Sequence, residues 1–432
     1  MASYPRVVAV TDEHLDSLVS VLDLVRSRRA RTRPALQAAS GFGRAVVTQR
    51  VVQLIDCGLL EEGHLGPSTG GRAPRQLSLR SRAGLVLAAA LGATSISVGV
   101  ADLSGDLLSH HEEPNDIAVG PERTLSRVEE LFDKMLSTGT WDRKDVWGVG
   151  IGVPGPVEFS AGRPVSPPIM PGWDRYPVGE RLANRYRAAA WVDNDVNLMA
   201  LGELRAGLAQ DQADVVYIKI GSGIGAGLIS AGRLHRGAQG AAGDVGHVAV
   251  GGYDSVTCRC GNTGCLEAIA GGAAIARDGA AAAAEGGTSF LAARLAERDT
   301  LTVRDVIEAA GHGDAAAVEL LNRSGDLVGQ MLATLVNFYN PSLAIIGGGV
   351  AMAGDMYLAA IRQNVYRRSL PLATRDLRIV RSSNIETIGL RGAAFVVLDE
   401  LFSRARLGHW INEGTPAGRP ELSTKLGSTA AG

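Results

Sequence analysis

The sequence has few cysteines, few aromatic residues and no long apolar run. Four cysteines in 432 residues are too few for a fold held together by disulfide bonds. No stretch of about 18 apolar residues occurs, and the N-terminus lacks a basic segment followed by an apolar one, so we expect neither a membrane span nor export. Hydrophobic residues still make up 46% of the chain, enough to bury a core. The length predicts two or three domains. Without an export signal or a membrane span, we expect the protein to be cytoplasmic.

Lysine is absent from residues 1–82, yet this segment is basic. It holds 12 arginines and 7 acidic residues, a net charge of +5. Residues 83–432 hold 31 basic and 38 acidic residues, a net charge of -7. A basic segment on an acidic body favours a polyanionic partner for that segment, although +5 is also compatible with ordinary surface scatter.

Residues 1–82 predict three helices and two short strands. Apolar residues recur at helical spacing from Leu15 to Val25, Pro34 can begin a second helix that Gly41 ends, and a third helix ends at Gly58. Two strand-like stretches then flank a basic, glycine-rich loop. This order is typical of a winged helix-turn-helix DNA-binding domain.

The third helix and the loop contain the candidate DNA contacts. Polar residues near the start of the helix could reach base edges and phosphates in a major groove, and the basic wing could follow the backbone or enter a minor groove. A small helical protein-interaction module is the alternative, and the basic loop favours DNA. The candidate residues are Arg44, Thr48, Gln49, Arg50, Arg72 and Arg75.

From residue 83 onward, apolar strand-like runs alternate with helical patterns, which predicts α/β layers. We expect a first lobe over 83–196, completed by about 381–408, and a second lobe over 197–380. The Gly/Pro-rich stretch 409–432 is expected to be a mobile tail.

Three of the four cysteines lie within eight residues. Cys258, Cys260 and Cys265 follow His247 by eleven positions or more. Three thiolates and one imidazole make a closed tetrahedral zinc set, which predicts a structural metal, with chance clustering as the alternative. Reducing conditions in the cytosol disfavour a disulfide.

Carboxylates and an imidazole from two segments could hold the hydroxyls of a sugar. Asn194 and Asp195 follow a strand-like run, and Asp244, His247 and Glu267 come from the cysteine-rich segment. Asp195 could also serve as a general base for phosphoryl transfer. Each acid alone could instead be a solvated loop charge.

Two glycine-rich turns follow apolar runs, and their backbone N–H groups could face phosphates. Tight turns use the same residues, so the signal is weak by itself. The candidate residues are Gly221, Ser222, Gly223, Gly225, Gly347 and Gly348.

Together these motifs resemble the ROK family (repressors, unassigned reading frames and sugar kinases), in its xylose-repressor and N-acetylglucosamine-repressor branch. The zinc motif reads CRCGNTGCLE and follows Gly246-His247, and DNDVN with LGE is similar to the catalytic-aspartate motif. GSGIGAG and IIGGGVA look like the phosphate-side and adenosine-side loops. The head SGFGRAVVTQRVVQLIDCGLL is similar to the helix-turn-helix of the repressors. The resemblance covers about residues 10–405 of the chain.

The resemblance implies a winged helix-turn-helix followed by two actin-like α/β lobes of the sugar-kinase (ASKHA) type. It implies that Asn194, Asp195, Glu267 and His247 contact sugar in the cleft, with His247 also a zinc ligand. The expected partners are double-stranded operator DNA, a sugar or sugar-phosphate effector and further copies of the chain in a homodimer or tetramer.

Two departures from the family pattern matter. Kinase members carry DxGGT where this chain has Ala90-Leu91-Gly92-Ala93-Thr94, so the carboxylate that serves Mg-ATP is missing and ATP and Mg are not expected. The usual ExGH begins here with Asp244, a shorter acid that is expected to affect sugar choice. We favour a sugar-responsive repressor of carbohydrate-utilisation genes. The alternative, which Asp195 and GSGIGAG keep open, is an active glucokinase-like sugar kinase with a DNA-binding head.

Overall fold

The computed structural model describes residues 12–65, 75–139, 141–285 and 289–424. The described chain forms an N-terminal head and two larger lobes, each built on a five-stranded mixed sheet. Within these ranges, the helices are too short or too polar to cross a membrane.

The head contains the three helices and two strands that the sequence predicts. Its elements are α1 (Asp12–Arg26), α2 (Arg33–Ser40), α3 (Arg44–Asp56), β1 (Leu60–Leu65) and β2 (Arg75–Leu79), with β1 and β2 antiparallel. The Thr32 hydroxyl caps α2 by accepting from the Ala35 N–H at 3.3 Å. Gly41 ends α2 at φ +73°, a conformation that favours glycine.

The first lobe has the strand order β5-β4-β3-β6-β9, in which β3, β6 and β9 are parallel. The helices α4 and α5 belong to this part of the chain, and a two-stranded sheet, β7-β8, lies beside it. The bounds are β3 (Leu85–Leu91), β4 (Ser95–Asp102), β5 (Leu107–Pro114), α4 (Pro121–Thr138), β6 (Val146–Val153), β7 (Val157–Glu158), β8 (Arg163–Pro164), α5 (Val178–Tyr186) and β9 (Ala189–Asn194).

The second lobe has the strand order β12-β11-β10-β13-β14, in which β10, β13 and β14 are parallel. One helix, α6 (Asp195–Ala206), links the lobes, and seven more among the described residues accompany the second sheet. Their bounds, with those of the strands, are β10 (Val215–Ile220), β11 (Ile224–Ser230), β12 (Arg233–His235), α7 (Leu266–Ala270), α8 (Gly272–Ala284), α9 (Ser289–Arg298), α10 (Val303–Gly311), α11 (Ala315–Tyr339), β13 (Leu343–Gly347), α12 (Asp355–Arg368), α13 (Pro371–Thr374) and β14 (Arg378–Arg381).

The chain then returns to the first lobe through α14 (Ile388–Leu401) and α15 (Arg404–Trp410). Helices α14 and α6 pack backbone to backbone, because a Cβ at Gly392 would lie 1.7 Å from the Leu198 carbonyl oxygen and one at Gly202 would lie 2.3 Å from that of Ile388. The other side of α6 meets β11, where a Cβ at Gly227 would lie 2.6 Å from the Ala200 Cβ. Helix α6 is therefore wedged tightly between the lobes.

The prediction of a mobile tail over 409–432 is wrong for residues 409–424. Trp410 and Leu422 are fully buried, and the Trp410 ring meets that of Trp147 edge-on at 5.4 Å. The Trp410 N–H also donates to the Leu401 carbonyl at 3.0 Å. The glycines and prolines of this stretch make turns between anchored apolar residues. Residues 425–432 lie outside the described ranges.

Candidate functional site

The start of α6 holds the first two candidate sugar contacts. Asn194 is the N-cap: its side-chain oxygen accepts from the N–H groups of Val196 at 2.9 Å and Asn197 at 3.2 Å, and its amide donates to the Gly155 carbonyl at 3.0 Å. Asp195 follows and is buried. Asn194 thus fixes the helix start and, with it, the position of the Asp195 carboxylate.

Lys219 of β10 forms an ion pair with Asp195 that sequence reasoning missed. Its Nζ donates to Asp195 Oδ2, and the two side chains are 18% and 5% exposed. The sequence did contain a signal for a buried ion pair: Lys219 is the single charge inside the otherwise apolar run VVYIKI, in a chain with only four lysines. A Cβ at Gly221 would lie 3.2 Å from Lys219 Cε, so this ammonium stands beside the first glycine-rich turn.

Glu267 and His247 lie at the other end of that turn. A Cβ at Gly223 would lie 2.4 Å from Glu267 Oε2, and the same oxygen accepts weakly from the Ile224 N–H at 3.4 Å. Asp244 Oδ1 is 3.8 Å from His247 Nε2. The turn Gly221–Gly223 therefore runs from the Lys219–Asp195 pair to Glu267. Cys258 Sγ lies 3.6 Å from Glu267 Oε1 and 3.7 Å from His247 Nδ1 and so connects this end of the turn to His247.

The four predicted metal ligands converge. The ligand atoms of His247, Cys258, Cys260 and Cys265 all lie within 4.8 Å of one another, with His247 Nδ1 and Cys258 Sγ 3.7 Å apart and the Sγ atoms of Cys260 and Cys265 also 3.7 Å apart. A tetrahedral zinc with Zn–S bonds of about 2.3 Å requires S···S edges of about 3.8 Å. The donor set and its spacing fit zinc. Its residues would hold the ion through Nδ1 and three thiolates, leaving no position for a reactant.

The local environment acts differently on the three thiols. Burial raises the pKa of the Cys258 thiol to about 12 and also raises the pKa of Cys265. A backbone N–H of Asn262 lowers the pKa of Cys260. Two of the thiols therefore hold their protons at neutral pH in the absence of a cation, so metal binding must release protons.

The second glycine turn follows β13. Gly348 has φ +84°, and a Cβ at Gly347 would lie 1.9 Å from the Tyr217 hydroxyl, so both positions exclude a side chain. In the first turn, the carbonyls of Gly221 and Ser222 accept from the N–H groups of Gly272 and Ala273 at 2.7 and 3.1 Å. The two turns follow the carboxyl ends of β10 and β13, which are parallel strands. In the first lobe, the parallel strands β6 and β9 end in the same way, with Asn194 the last residue of β9 and Asp195 just after it.

Ala90 is near the end of β3, in register with Gly152 of β6. A Cβ at Gly152 would lie 3.3 Å from Asp195 Cα, so position 90 belongs to the same end of the sheet as Asp195. The Ala90 methyl group faces Gly389, whose Cβ position is 3.4 Å away. This position contributes no carboxylate to the cleft.

The structure separates the predicted DNA contacts into two groups. Arg44, Thr48 and Gln49 are exposed on α3. Arg50 is 8% exposed, and its Nε donates to the Ser17 hydroxyl at 2.7 Å inside the head. The prediction that Arg50 contacts DNA is therefore corrected: position 50 falls on the same helix face as the buried residues Val47, Val51 and Leu54.

The remaining candidates are the two arginines predicted in the wing. Arg75 is exposed at the start of β2, 3.9 Å from Glu62, whereas Arg72 lies outside the described residues. Val52, which sequence reasoning left out, is 44% exposed one turn after Thr48. The exposed face of α3 therefore combines a guanidinium, polar side chains and an apolar group.

Comparison with known proteins places these observations in a family. The model of the ROK family matches residues 86–400. The glucokinase of Halalkalibacterium halodurans is 32% identical over 281 residues, which cover 65% of this chain and 85% of that protein. The xylose repressor of Caldicellulosiruptor bescii is 27% identical over 383 residues, covering 89% and 95%.

A solved structure extends the likeness to nearly the whole chain. The crystal structure of a ROK family transcriptional regulator, a homologue of the Escherichia coli MLC protein, is 26% identical with a TM-score of 0.77, covering 93% of this chain and all of that one. The two mixed sheets and their helices have the α/β sugar-kinase-like fold. The chain belongs to the ROK family.

Proposed function

We propose that this protein is a sugar-responsive DNA-binding repressor of carbohydrate-utilisation genes. The observation that carries the proposal is the head: it lies before the stretch that the ROK model matches, while the xylose repressor and the MLC-like regulator align over about nine tenths of the chain. The glucokinase aligns with only 65% of it. A kinase needs no such addition to its body.

The order of the helices and strands in the head and its net positive charge support a winged helix-turn-helix. Arg44, Thr48 and Gln49 stand at the start of α3, where a recognition helix reaches base edges, and Val52 could contact a thymine methyl group. Arg44 forms no ion pair with any described residue, so its guanidinium is available to a phosphate or a guanine. Two such heads in a homodimer or tetramer would read a palindromic operator.

The cleft has the groups that a sugar or sugar-phosphate effector requires. Asp195 and Glu267 offer carboxylate oxygens, and a zinc ion on His247 Nδ1 would fix the ring so that Nε2 points away from the metal, on the Asp244 side. Such paired acceptors and donors suit vicinal hydroxyls. The zinc itself would supply structural rigidity.

Two features favour sensing over catalysis. Ala90 supplies no carboxylate at the position that serves Mg-ATP in the kinases, and the Lys219 ammonium pairs with one of the two oxygens of Asp195, the residue that would be the general base. Both changes act against phosphoryl transfer while leaving hydroxyl recognition possible. The kinase remains the second candidate because Asp195 and the glycine-rich turns are present.

The test starts from the full-length protein and random double-stranded DNA. Repeated selection should recover a palindrome bound about 10³-fold more tightly than unselected DNA. Fluorescence anisotropy on that site should then show release by at least one of D-xylose, D-glucose, N-acetylglucosamine or the 6-phosphates of the two hexoses. Asp195→Ala should lose the sugar effect and keep sugar-free DNA binding.

Two results would count against the proposal. One is a selection that yields no sequence preference. The other is a selected site whose binding none of the sugars changes.

A further inference from the structure

Asp399 of α14 lies between the head and the cleft helix. Its Oδ1 accepts from Arg26 Nη2 of α1 at 2.8 Å, and its Oδ2 accepts from Nε and Nη2 of Arg205 of α6 at 2.9 and 2.8 Å. The side chains of Arg26 and Asp399 are only 12% and 21% exposed. One carboxylate thus joins three helices, of which one belongs to the head and one begins at Asp195.

Arg26, the head residue that contacts Asp399, packs where α1 of the head meets the end of α14. Arg26 is the last residue of α1, and its guanidinium lies 5.5 Å from the centre of the Phe402 ring just after α14. Its Nη2 also contacts Asp23 at 3.2 Å. The residues after Arg26 lead directly into α2 and α3, so the position of this side chain affects how the DNA-facing helix is held.

Arg205, the other partner of Asp399, lies on the same helix as Asp195 of the cleft. Helix α6 has 12 residues and a length of about 18 Å, with Asp195 in its first turn and Arg205 in its last. The close contacts of Gly202 and Gly392 with backbone carbonyls hold the middle of α6 against α14, so a displacement at the start of α6 tilts the helix about this contact and moves its two ends relative to α14. A displacement of Asp195 is therefore carried along the helix to Arg205.

The other ion pairs between head and body are more exposed. Arg404 contacts Asp12 at 2.9 Å and Asp16 at 3.2 Å, with side chains 48% to 88% exposed, and Arg29 contacts Asp211 at 3.1 Å with both side chains more than 60% exposed. Exposed ion pairs of this kind contribute little to the free energy that holds the head against the body. Among the described residues, Asp399 makes the least exposed ionic contact between head and body.

We propose that Asp399 is a positioning residue that couples the cleft to the DNA-binding head. An effector that binds Asp195 shifts α6, the shift changes the Arg205–Asp399 contact, and Asp399 in turn holds or releases Arg26. The two states are a head fixed against α14 and a head freed from it, and the effector acts by its different affinity for each. This inference rests on the proposed sugar response.

The experiment separates the coupling from the sugar binding. Calorimetry on wild type first identifies which of D-xylose, D-glucose, N-acetylglucosamine and the 6-phosphates of the two hexoses binds. Hydrogen–deuterium exchange of the α1 segment, residues 12–26, is then measured with and without that sugar. Wild type should show a change in exchange rate of about 5-fold or more, the lower range of allosteric coupling.

Arg205→Met is the decisive variant because it cuts the link to α6 and leaves the Arg26–Asp399 contact in place. It should bind the sugar within about twofold of wild type and show sugar-free exchange like wild type, yet its α1 segment should no longer respond. Arg404→Met, which removes only exposed contacts with the head, should respond normally. Asp399→Asn should also lose the response.

Each outcome has one meaning. A wild-type protein that binds sugar without any change in α1, or an Arg205→Met protein that responds fully, would overturn the coupling and leave the proposed function intact. If none of these sugars binds wild type, sugar sensing itself fails in the calorimetry, before exchange is measured, and the coupling fails with it.

Discussion

The Lys219 ammonium donates to the Asp195 carboxylate, and both side chains are largely withdrawn from solvent. A carboxylate at the start of α6 that faces an ammonium group remains an acceptor for a sugar hydroxyl through its other oxygen. Its Oδ2 already accepts from Lys219 and is not free to take a proton from that hydroxyl. The pair therefore makes the cleft better suited to recognition than to catalysis.

The first prediction concerns the energy of this pair. Removing one partner leaves the other charge buried without compensation, so Lys219→Met should lower the free energy of unfolding by about 3 kcal/mol. Asp195→Asn should lower it similarly, and the double variant should lose less than the sum of the two by 1 kcal/mol or so. Urea unfolding of the four proteins measures this. Strictly additive losses would contradict a direct ion pair.

The second prediction concerns the metal. Wild type purified without chelators should hold about one zinc per chain, and Cys260→Ser should lose it because a tetrahedral thiolate site cannot spare a ligand. Cys57→Ser is the matched control. Cys57 lies in the head, where its thiol donates to the Leu54 carbonyl, so replacing Cys57 should leave the zinc in place. Elemental analysis decides. A zinc-free wild type, or equal loss in both variants, would refute the assignment.

The third prediction separates two arginines of α3 that lie six residues apart. Arg44→Ala should weaken binding to the selected DNA site by about 10-fold or more, since a specific base contact is worth 1–3 kcal/mol or so. Arg50→Ala should instead destabilise the head, because Ser17 loses a buried hydrogen-bond partner. Arg123→Ala, on the exposed surface of α4, is the control for nonspecific charge loss.

Anisotropy and thermal melting distinguish these effects. Arg44→Ala should melt like wild type, and Arg50→Ala should melt earlier. A normal melting temperature for Arg50→Ala together with a large loss of DNA affinity would restore Arg50 to the DNA surface.

Local signals in the sequence account for what could be predicted. Pro34 and Gly41 mark the limits of α2 because they act on their own turn of backbone, and the metal cluster was visible because its cysteines are close in sequence. The errors come from contacts between distant segments. Lys219 meets Asp195 only because β10 and α6 lie side by side in the fold, and the partner that buries Arg50 is Ser17, 33 positions earlier in the chain.

The tail shows the same limit. Gly/Pro-rich composition describes how a backbone turns, but it does not report where Trp410 and Leu422 find apolar partners. Those partners include Trp147, more than 250 positions earlier in the chain. Burial of a few large side chains outweighed the local preference for disorder.

The fourth prediction concerns pH. Burial alone would raise the pKa of Asp399, but Arg26 and Arg205 outweigh it and hold the pKa below its ordinary value of 3.8. A depressed carboxyl pKa stabilises the fold at pH values above 3.8, and this contribution disappears as the pH falls through the lowered value. Asp399→Asn should be less stable than wild type at pH 7, and the difference should shrink in strong acid. Urea unfolding between pH 7 and pH 3 measures it; a pH-independent difference would contradict the ion-pair origin.

The last prediction concerns phosphoryl transfer. With Mg-ATP and whichever sugar binds, wild type should turn over about 10³-fold more slowly than a ROK glucokinase assayed in parallel, because Ala90 supplies no carboxylate for metal and phosphates. Ala90→Asp alone should remain slow, since Lys219 still engages Asp195. Ala90→Asp combined with Lys219→Thr should be the fastest of the three forms of this protein, because only this variant removes both obstacles. Rapid turnover by wild type would overturn the sensor interpretation and leave an active kinase with a DNA-binding head.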